Sequence, residues 1–267
     1  MNMNALPILN YHGVQSQEGE YDWQDCERSY VLSLTTFNQH LDYLSHDGFV
    51  PIDSENVGLW FKHTAMIQKP IVLTFDDGHI SHYRNVFPLL KNKGFEAIFF
   101  VSAGLVGRPD QMNWAHLKEL VVQGFEIGSH GLRHIPLTNL TDSKLREELA
   151  TSKKILEEHL GVEMKSFSVP RGFYEPRISK TAAQVGYRFV FTSQFDLNHR
   201  GEDVLCLKRL VVKKETSIDE FSRIVQGELG LKRYSEKAKD IARRFVSPSF
   251  YDVLVAIKRG LRTEVKL

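Results

Sequence analysis

Two aspartates, Asp76 and Asp77, stand side by side in the stretch IVLTFDDGH, residues 71–79. Like charges this close repel, and the repulsion grows when water is excluded. The five residues before them, 71–75, read as a buried strand, so the pair falls where an apolar element stops. Such a place calls for a positive partner. His130 and His134, in EIGSHGLRH, residues 126–134, are four apart. That spacing predicts one helical turn with both rings on the same side. Two imidazoles and one carboxylate form a donor set used by catalytic zinc, with one coordination position left for water. A cation there would also keep a second carboxylate ionised beside the first. Neither motif is specific alone. Eleven histidines in 267 residues produce such a spacing by chance, and Asp and Gly are common turn residues. The combination carries the argument, because both motifs directly follow apolar strand candidates, with one further strand–helix unit between them.

Elements to position these residues recur along the chain. Strand candidates lie at 6–10, 49–52, 71–75, 97–101, 125–128, 166–169, 188–192 and 207–212, and helical patterns at 36–46, 114–122, 142–160, 178–185 and 218–225. This alternation predicts parallel strands joined by crossover helices. Near eight strands favour a closed or partly closed barrel over an open sheet, and in such a barrel chemistry collects at the C-terminal ends of the strands. No glycine-rich phosphate fingerprint follows the first strand. No G-x-S-x-G elbow suggests a serine hydrolase.

Charge and composition exclude other classes. Lys plus Arg is 34 against 33 for Asp plus Glu, which removes any global electrostatic case for a nucleic-acid partner. Two cysteines, Cys26 and Cys206, make neither a disulfide framework nor a thiolate metal site. The start carries no signal-peptide pattern, so a cytoplasmic protein is the expectation. The alternation ends near residue 230, which divides the chain into a catalytic domain over 1–230 and a helical extension over 231–267. In the extension a helix is expected over 237–246. Beyond Pro248 a stripe of Phe250, Val253, Leu254, Ile257 and Leu261 is flanked by Lys258, Arg259 and Arg262. A helix packed on the barrel is the first reading, and peripheral contact with a membrane the second.

LTFDDG together with GSHGLRH resembles the first two motifs of the polysaccharide deacetylases, the NodB-homology group or carbohydrate esterase family four. The opening PILNYHGV resembles the tyrosine–histidine start of a subgroup that acts on exopolysaccharides rich in N-acetylglucosamine. The resemblance covers about residues 6–221. It implies an α/β fold, a distorted (β/α) barrel of about seven strands, and hydrolysis of an N-acetyl group on a glycan substrate. It also implies a divalent metal, with zinc the first expectation and cobalt, nickel or manganese the alternatives. Asp77, His130 and His134 match the family's metal ligands, and Asp76 its catalytic base. An amide also needs a proton on its departing nitrogen, so a general acid is required.

The later motifs depart from the family. In SFSVPRGFYEPR, residues 166–177, Ser168 stands where an arginine would. Either Arg171 or Arg209 is then expected to orient Asp76. The oxyanion-holding backbone N–H is expected from the turn at Phe173 and Tyr174. The usual fourth motif is replaced by FTSQFDLN, where Asp196 is a candidate. Lys213 and Lys214 fall where a fifth-motif histidine would be sought. His12, just after the first strand, is the expected replacement acid. His79 and His82 have no assigned role. Trp23, Trp114, Phe173 and Tyr174 could offer flat faces to sugar rings. Two other readings remain on the same barrel: hydrolysis of a small amide, and a non-catalytic carbohydrate-binding protein.

Overall fold

Six consecutive residues, Pro70–Phe75, form a strand with every side chain buried, as expected of a central parallel strand covered on both faces. It belongs to a computed structural model of the chain, which describes residues 5–21, 28–64 and 67–245, with side chains to residue 238. In chain order the sheet contains β1 (Ile8–Tyr11), β2 (Pro70–Phe75), β3 (Ile98–Val101), β4 (Glu126–Ser129), β5 (Ser166–Ser168), β6 (Phe189–Phe191) and β7 (Leu210–Val211). They pair in the order β6-β5-β4-β3-β2-β1-β7, every pair parallel. At the seam Phe191 bridges to Leu207, ahead of β7. The result is an α/β half-barrel of seven strands. The strand expected over 49–52 shrinks to Val50–Pro51, which joins the entrance of β2 and is not a stave of the barrel.

Among the described residues eight α-helices accompany the strands: α1 (Leu34–His46), α2 (Ser54–Phe61), α3 (Phe87–Lys93), α4 (Trp114–Val122), α5 (Asp142–Leu160), α6 (Pro176–Val185), α7 (Ile218–Val225) and α8 (Gly230–Phe245). Their starts follow local chemistry. Side chains of Ser33, Asp53, Asn113, Thr141 and Ser217 each accept a first-turn backbone N–H, satisfying donors that a helix start leaves open. The helix expected from residue 237 begins earlier, at Gly230. The stripe expected from Phe250, and Trp23 and Cys26, lie outside the described residues. No helix among the described residues is long and apolar enough to cross a membrane.

Side chains alternate across a strand, and here the two sets enter different cores. Leu9, Tyr11, Leu73, Phe75, Phe99, Val101 and Phe167 pack with residues of α1, α4 and α5 in the larger one. Ile8, Val72, Ile98, Phe100, Phe189 and Phe191 form a second, with Val57, Trp60 and Phe61 of α2. The second set occupies the inner face. Continuing its parity upward replaces apolar residues by polar ones: Ile8, Asn10, His12 on one stave and Val72, Thr74, Asp76 on the next. Pairing of Ile8 with Val72 and Asn10 with Thr74 puts these ladders in register.

In the larger core His40 is fully buried. Its ring stacks on Phe221 with centroids 3.9 Å apart, and burial pushes it down to about 4. The folded state therefore holds it neutral, while the unfolded chain protonates it near pH 6.5. Its contribution is present above pH 6.5 and is lost as pH falls toward 4. Urea unfolding at pH 4.5 should show stability about 2–3 kcal/mol below that at pH 7 from this group, and His40→Gln should lose less over the same interval. An identical loss in both proteins would contradict this.

Candidate metal centre

The D-D-G motif is a turn that aims two carboxylates in different directions. Asp77 and Gly78 have φ of 79° and 70°, both left-handed, which explains a glycine there. A side chain at Gly78 would also meet Val101 Cγ1 at 2.9 Å. Asp76 stays on the inward ladder of β2 and is 3% exposed. Asp77 turns toward the end of β4.

There Asp77 Oδ1 lies 3.3 Å from His130 Nε2 and 3.1 Å from His134 Nε2. One ligand atom from each residue fits within 4.8 Å of the other two. His130 Nδ1 donates to the Ser168 carbonyl at 2.9 Å, so in the neutral ring Nε2 presents its lone pair to Asp77. Asp77 Oδ1 is buried without a hydrogen-bond partner. With both Nε2 atoms deprotonated, the three would be converging electron-pair donors that suit a divalent cation. Burial alone would raise the Asp77 carboxyl, but His134 and His130 hold it well below the usual carboxylate range.

The two histidines do not share a helical turn, contrary to the spacing argument. Residues 130–134 form a loop in which Gly131 and His134 have φ of 75° and 56°. An i,i+4 spacing brings rings together in a helix, and here a curled loop does so through external hydrogen bonds.

Asp76 has its own cation. Arg209 Nη1 and Nη2 donate to its two oxygens at 2.8 and 2.7 Å. Arg209 enters ahead of β7 and reaches upward past Thr74. Its other N–H groups go to the Thr192 carbonyl (2.9 Å), Thr74 Oγ1 (3.2 Å) and Ser168 Oγ (2.9 Å). All five guanidinium donors are thus placed, with the side chain 1% exposed. Burial pushes Asp76 up, yet the opposing charge of Arg209, aided by His130, brings it down to about 2. Of the two arginines weighed from the sequence, Arg209 reaches Asp76. Arg171 sits exposed in the turn Pro170–Gly172 with φ 61°, and its charge falls on His134. Ser168, at the place of the family's arginine, donates to Asp76 Oδ1 at 3.2 Å.

His12 lies one residue beyond the paired end of β1. Its ring packs on Tyr30, centroids 4.9 Å apart, and its Nδ1 is buried without a partner. Burial lowers its pKa, opposed by Asp77 and Asp76. His82 donates through Nε2 to the His12 carbonyl, and His79 packs against Ser81 and Tyr21. Phe173 is buried, and the Tyr174 hydroxyl pairs with Ser179 at 3.0 Å. Other expectations do not reach the centre. Asp196 pairs with Arg233 and Lys237 of α8, and Lys213 with Glu236. The Trp114 ring is covered by His159 at 4.0 Å, so that face is not offered to a sugar. Sequence reasoning passed over Thr74 and gave Ser168 no role of its own. Both are polar residues at inward positions of otherwise apolar strands, and that parity was a usable signal.

A parallel half-barrel with a His–His–Asp cluster and a clamped carboxylate at the strand ends belongs to the class of metal-dependent hydrolases of N-acetyl amide bonds. Residues 63–190 match the polysaccharide deacetylase family. The chain is 26% identical over 222 residues to a putative polysaccharide deacetylase, YxkH, of Bacillus subtilis, covering 83% of this chain and 76% of that one. It is 34% identical over 127 residues to a peptidoglycan-N-acetylglucosamine deacetylase of Bacillus cereus, covering 47% of this chain and 57% of that one. The solved structure of IcaB from Ammonifex degensii superposes with a TM-score of 0.73 at 27% identity, covering 85% of this chain and 98% of that one. By these matches the chain is similar to polysaccharide deacetylases.

Proposed function

We propose that this chain removes acetyl groups from N-acetylglucosamine units of a polymer. The observation that carries the reading is the pairing of two neighbours: Asp77 facing two imidazoles, and Asp76 held ionised by Arg209. The N-acetylglucosamine deacetylase of Bacillus cereus supports the substrate class. The opening tyrosine–histidine stretch supports the finer reading, a poly-N-acetylglucosamine exopolysaccharide.

Asp77, His130 and His134 would hold the metal, with zinc the first choice. When bound, it supplies Lewis acidity, polarising the acetyl carbonyl and lowering the pKa of nearby water. Asp76, kept ionised by Arg209, takes the proton of the attacking water. Arg209 keeps its carboxylate oriented through the reaction. A backbone N–H of the Phe173–Tyr174 turn would stabilise the developing oxyanion. In its protonated form, which the charges of Asp77 and Asp76 favour against burial, His12 gives a proton to the departing amine.

The test is acetate release from β-1,4- and β-1,6-linked N-acetylglucosamine oligomers, in chelated protein and after adding back zinc, cobalt, nickel or manganese. Acetate should appear only with metal; none from any oligomer with any metal would overturn the reading. His12→Ala should lower kcat about 100-fold or more, the lower range for general acid–base catalysis, while zinc affinity changes less than threefold. An unchanged kcat would remove His12 from the mechanism.

A further inference from the structure

The loop that carries both imidazoles is not a helix, so nothing intrinsic fixes the distance between His130 and His134. The loop's carbonyls are tied to the segment after β3, and its N–H groups to α5. Glu148 lies on the buried face of that helix, among Leu145, Leu149 and Leu156, and is 1% exposed. Its Oε1 accepts the backbone N–H groups of Leu132 and Arg133 at 3.0 and 2.8 Å, and its Oε2 accepts Arg133 Nε at 2.8 Å. One turn further along α5, Ser152 Oγ donates to the Gly131 carbonyl at 2.8 Å. Ser152 also meets Ser129 Oγ at 2.8 Å, and Ser129 accepts from Gly131 N at 3.2 Å.

A charge buried on an apolar helix face costs desolvation. A leucine at 148 would continue the apolar stripe of α5 but would leave the Leu132 and Arg133 N–H groups without this acceptor. The carboxylate's three hydrogen bonds all go to one segment, the one between the two histidines. The β3 side holds the loop's carbonyls, with Ala103 and Gly104 N–H donating to Gly131 and Leu132 at 3.0 and 2.9 Å and Ser102 Oγ to His130 at 2.9 Å, while Glu148 takes the N–H groups of Leu132 and Arg133 from the other side. His134 is a non-glycine residue at left-handed φ, a conformation that persists when surroundings over-determine it.

We infer that Glu148 is a positioning residue for the metal centre: from α5 it clamps the His130–His134 loop and sets the separation of the two imidazoles. The inference rests on the proposed metal-binding reading of Asp77, His130 and His134. Glu148 touches neither substrate nor metal. It acts through the backbone of Leu132 and Arg133, and residues that orient ligands commonly change metal affinity about 10–100-fold when replaced.

The test measures zinc affinity by competition with a chromophoric chelator, alongside thermal unfolding of the metal-free proteins. Glu148→Leu keeps the volume and removes every acceptor. It should weaken zinc binding at least tenfold, while the metal-free protein still unfolds cooperatively. Glu148→Gln, which retains an oxygen for the two backbone donors, should recover part of that loss. A purely structural role would shift unfolding without this graded change in affinity. A folded Glu148→Leu that binds zinc within twofold of the parent would overturn the inference. Should that variant fail to fold, hydrogen exchange in the metal-free parent decides. The Leu132 and Arg133 amides should exchange as slowly as those of α5, and exchange at the rate of an open loop would overturn the clamp. A parent that binds zinc but releases no acetate would fell the proposed deacetylation and leave the clamp standing.

Discussion

Asp76→Asn should lose acetate release by about 100- to 10,000-fold, the range for removing a general base, while still holding its metal. The substitution is nearly isosteric and leaves Asp77 Oδ1, His130 Nε2 and His134 Nε2 untouched. It removes the charge that receives a proton from water. It also places an amide NH2 among donors, because Arg209 Nη2 and Ser168 Oγ both point at the carboxylate. Some instability is therefore expected beside the kinetic loss, and metal content must be measured on the folded fraction. The decisive comparison is kcat per bound metal. A variant within threefold of the parent would show that Asp76 is not the base. A variant that loses its metal would place Asp76 among the ligands instead.

Arg209→Met should be the most destabilising single change in the site. Arg209 is 1% exposed and offsets a carboxylate 3% exposed. Removing one partner of a buried pair leaves the other charge uncompensated, which costs about 3–5 kcal/mol. In the parent Asp76 is depressed to about 2, so the pair stabilises the fold above the unfolded pKa of 3.8 and loses that as pH falls toward 2. In Arg209→Met the burial that opposes ionisation is left without its main counterweight, and the folded-state pKa rises. The deficit should then be largest at neutral pH and shrink as pH falls through the raised value. Adding Asp76→Asn to Arg209→Met should restore part of the stability, because the orphaned charge is gone, so the two effects are not additive. Urea midpoints of the four proteins at pH 7 and pH 5 measure this cycle. Strict additivity, or an Arg209→Met as stable as the parent, would contradict the clamp.

These two residues mark how far the sequence could be read. Asp76 is legible because its chemistry is local: an apolar run, a carboxylate pair and a glycine in nine residues define a strand and the turn that ends it. His130 follows by the same logic at the end of another strand. Arg209 is different. It lies 133 residues from Asp76, and a buried arginine in LKRLVV has the same local pattern as an exposed one. Only the placement of β7 against β1, and of β1 against β2, brings its guanidinium to the carboxylate. Arg171 lies nearer the expected motif position, yet its left-handed turn carries it into solvent.

The helical reading of H-x-x-x-H failed for a related reason. A four-residue spacing fits a helix or a curled loop, and the choice depends on which partners satisfy the backbone. Here those partners are Glu148 and Ser152 on α5, with Ser102 donating to the His130 carbonyl at 2.9 Å. Glu148 breaks the apolar stripe of its own helix, which was visible in the sequence, but what it grips was not.

By itself, then, the amino-acid order determined the alternation of strands and helices, the half-barrel class and the two motifs at strand ends. These depend on periodicity and turn chemistry within a few residues. The tertiary structure alone decided which arginine pairs with Asp76, how the imidazoles are spaced, and which aromatic faces are already covered. Those choices are made by side chains far apart in sequence competing for the same buried donors and acceptors, and the winner is set by the register and curl of the sheet.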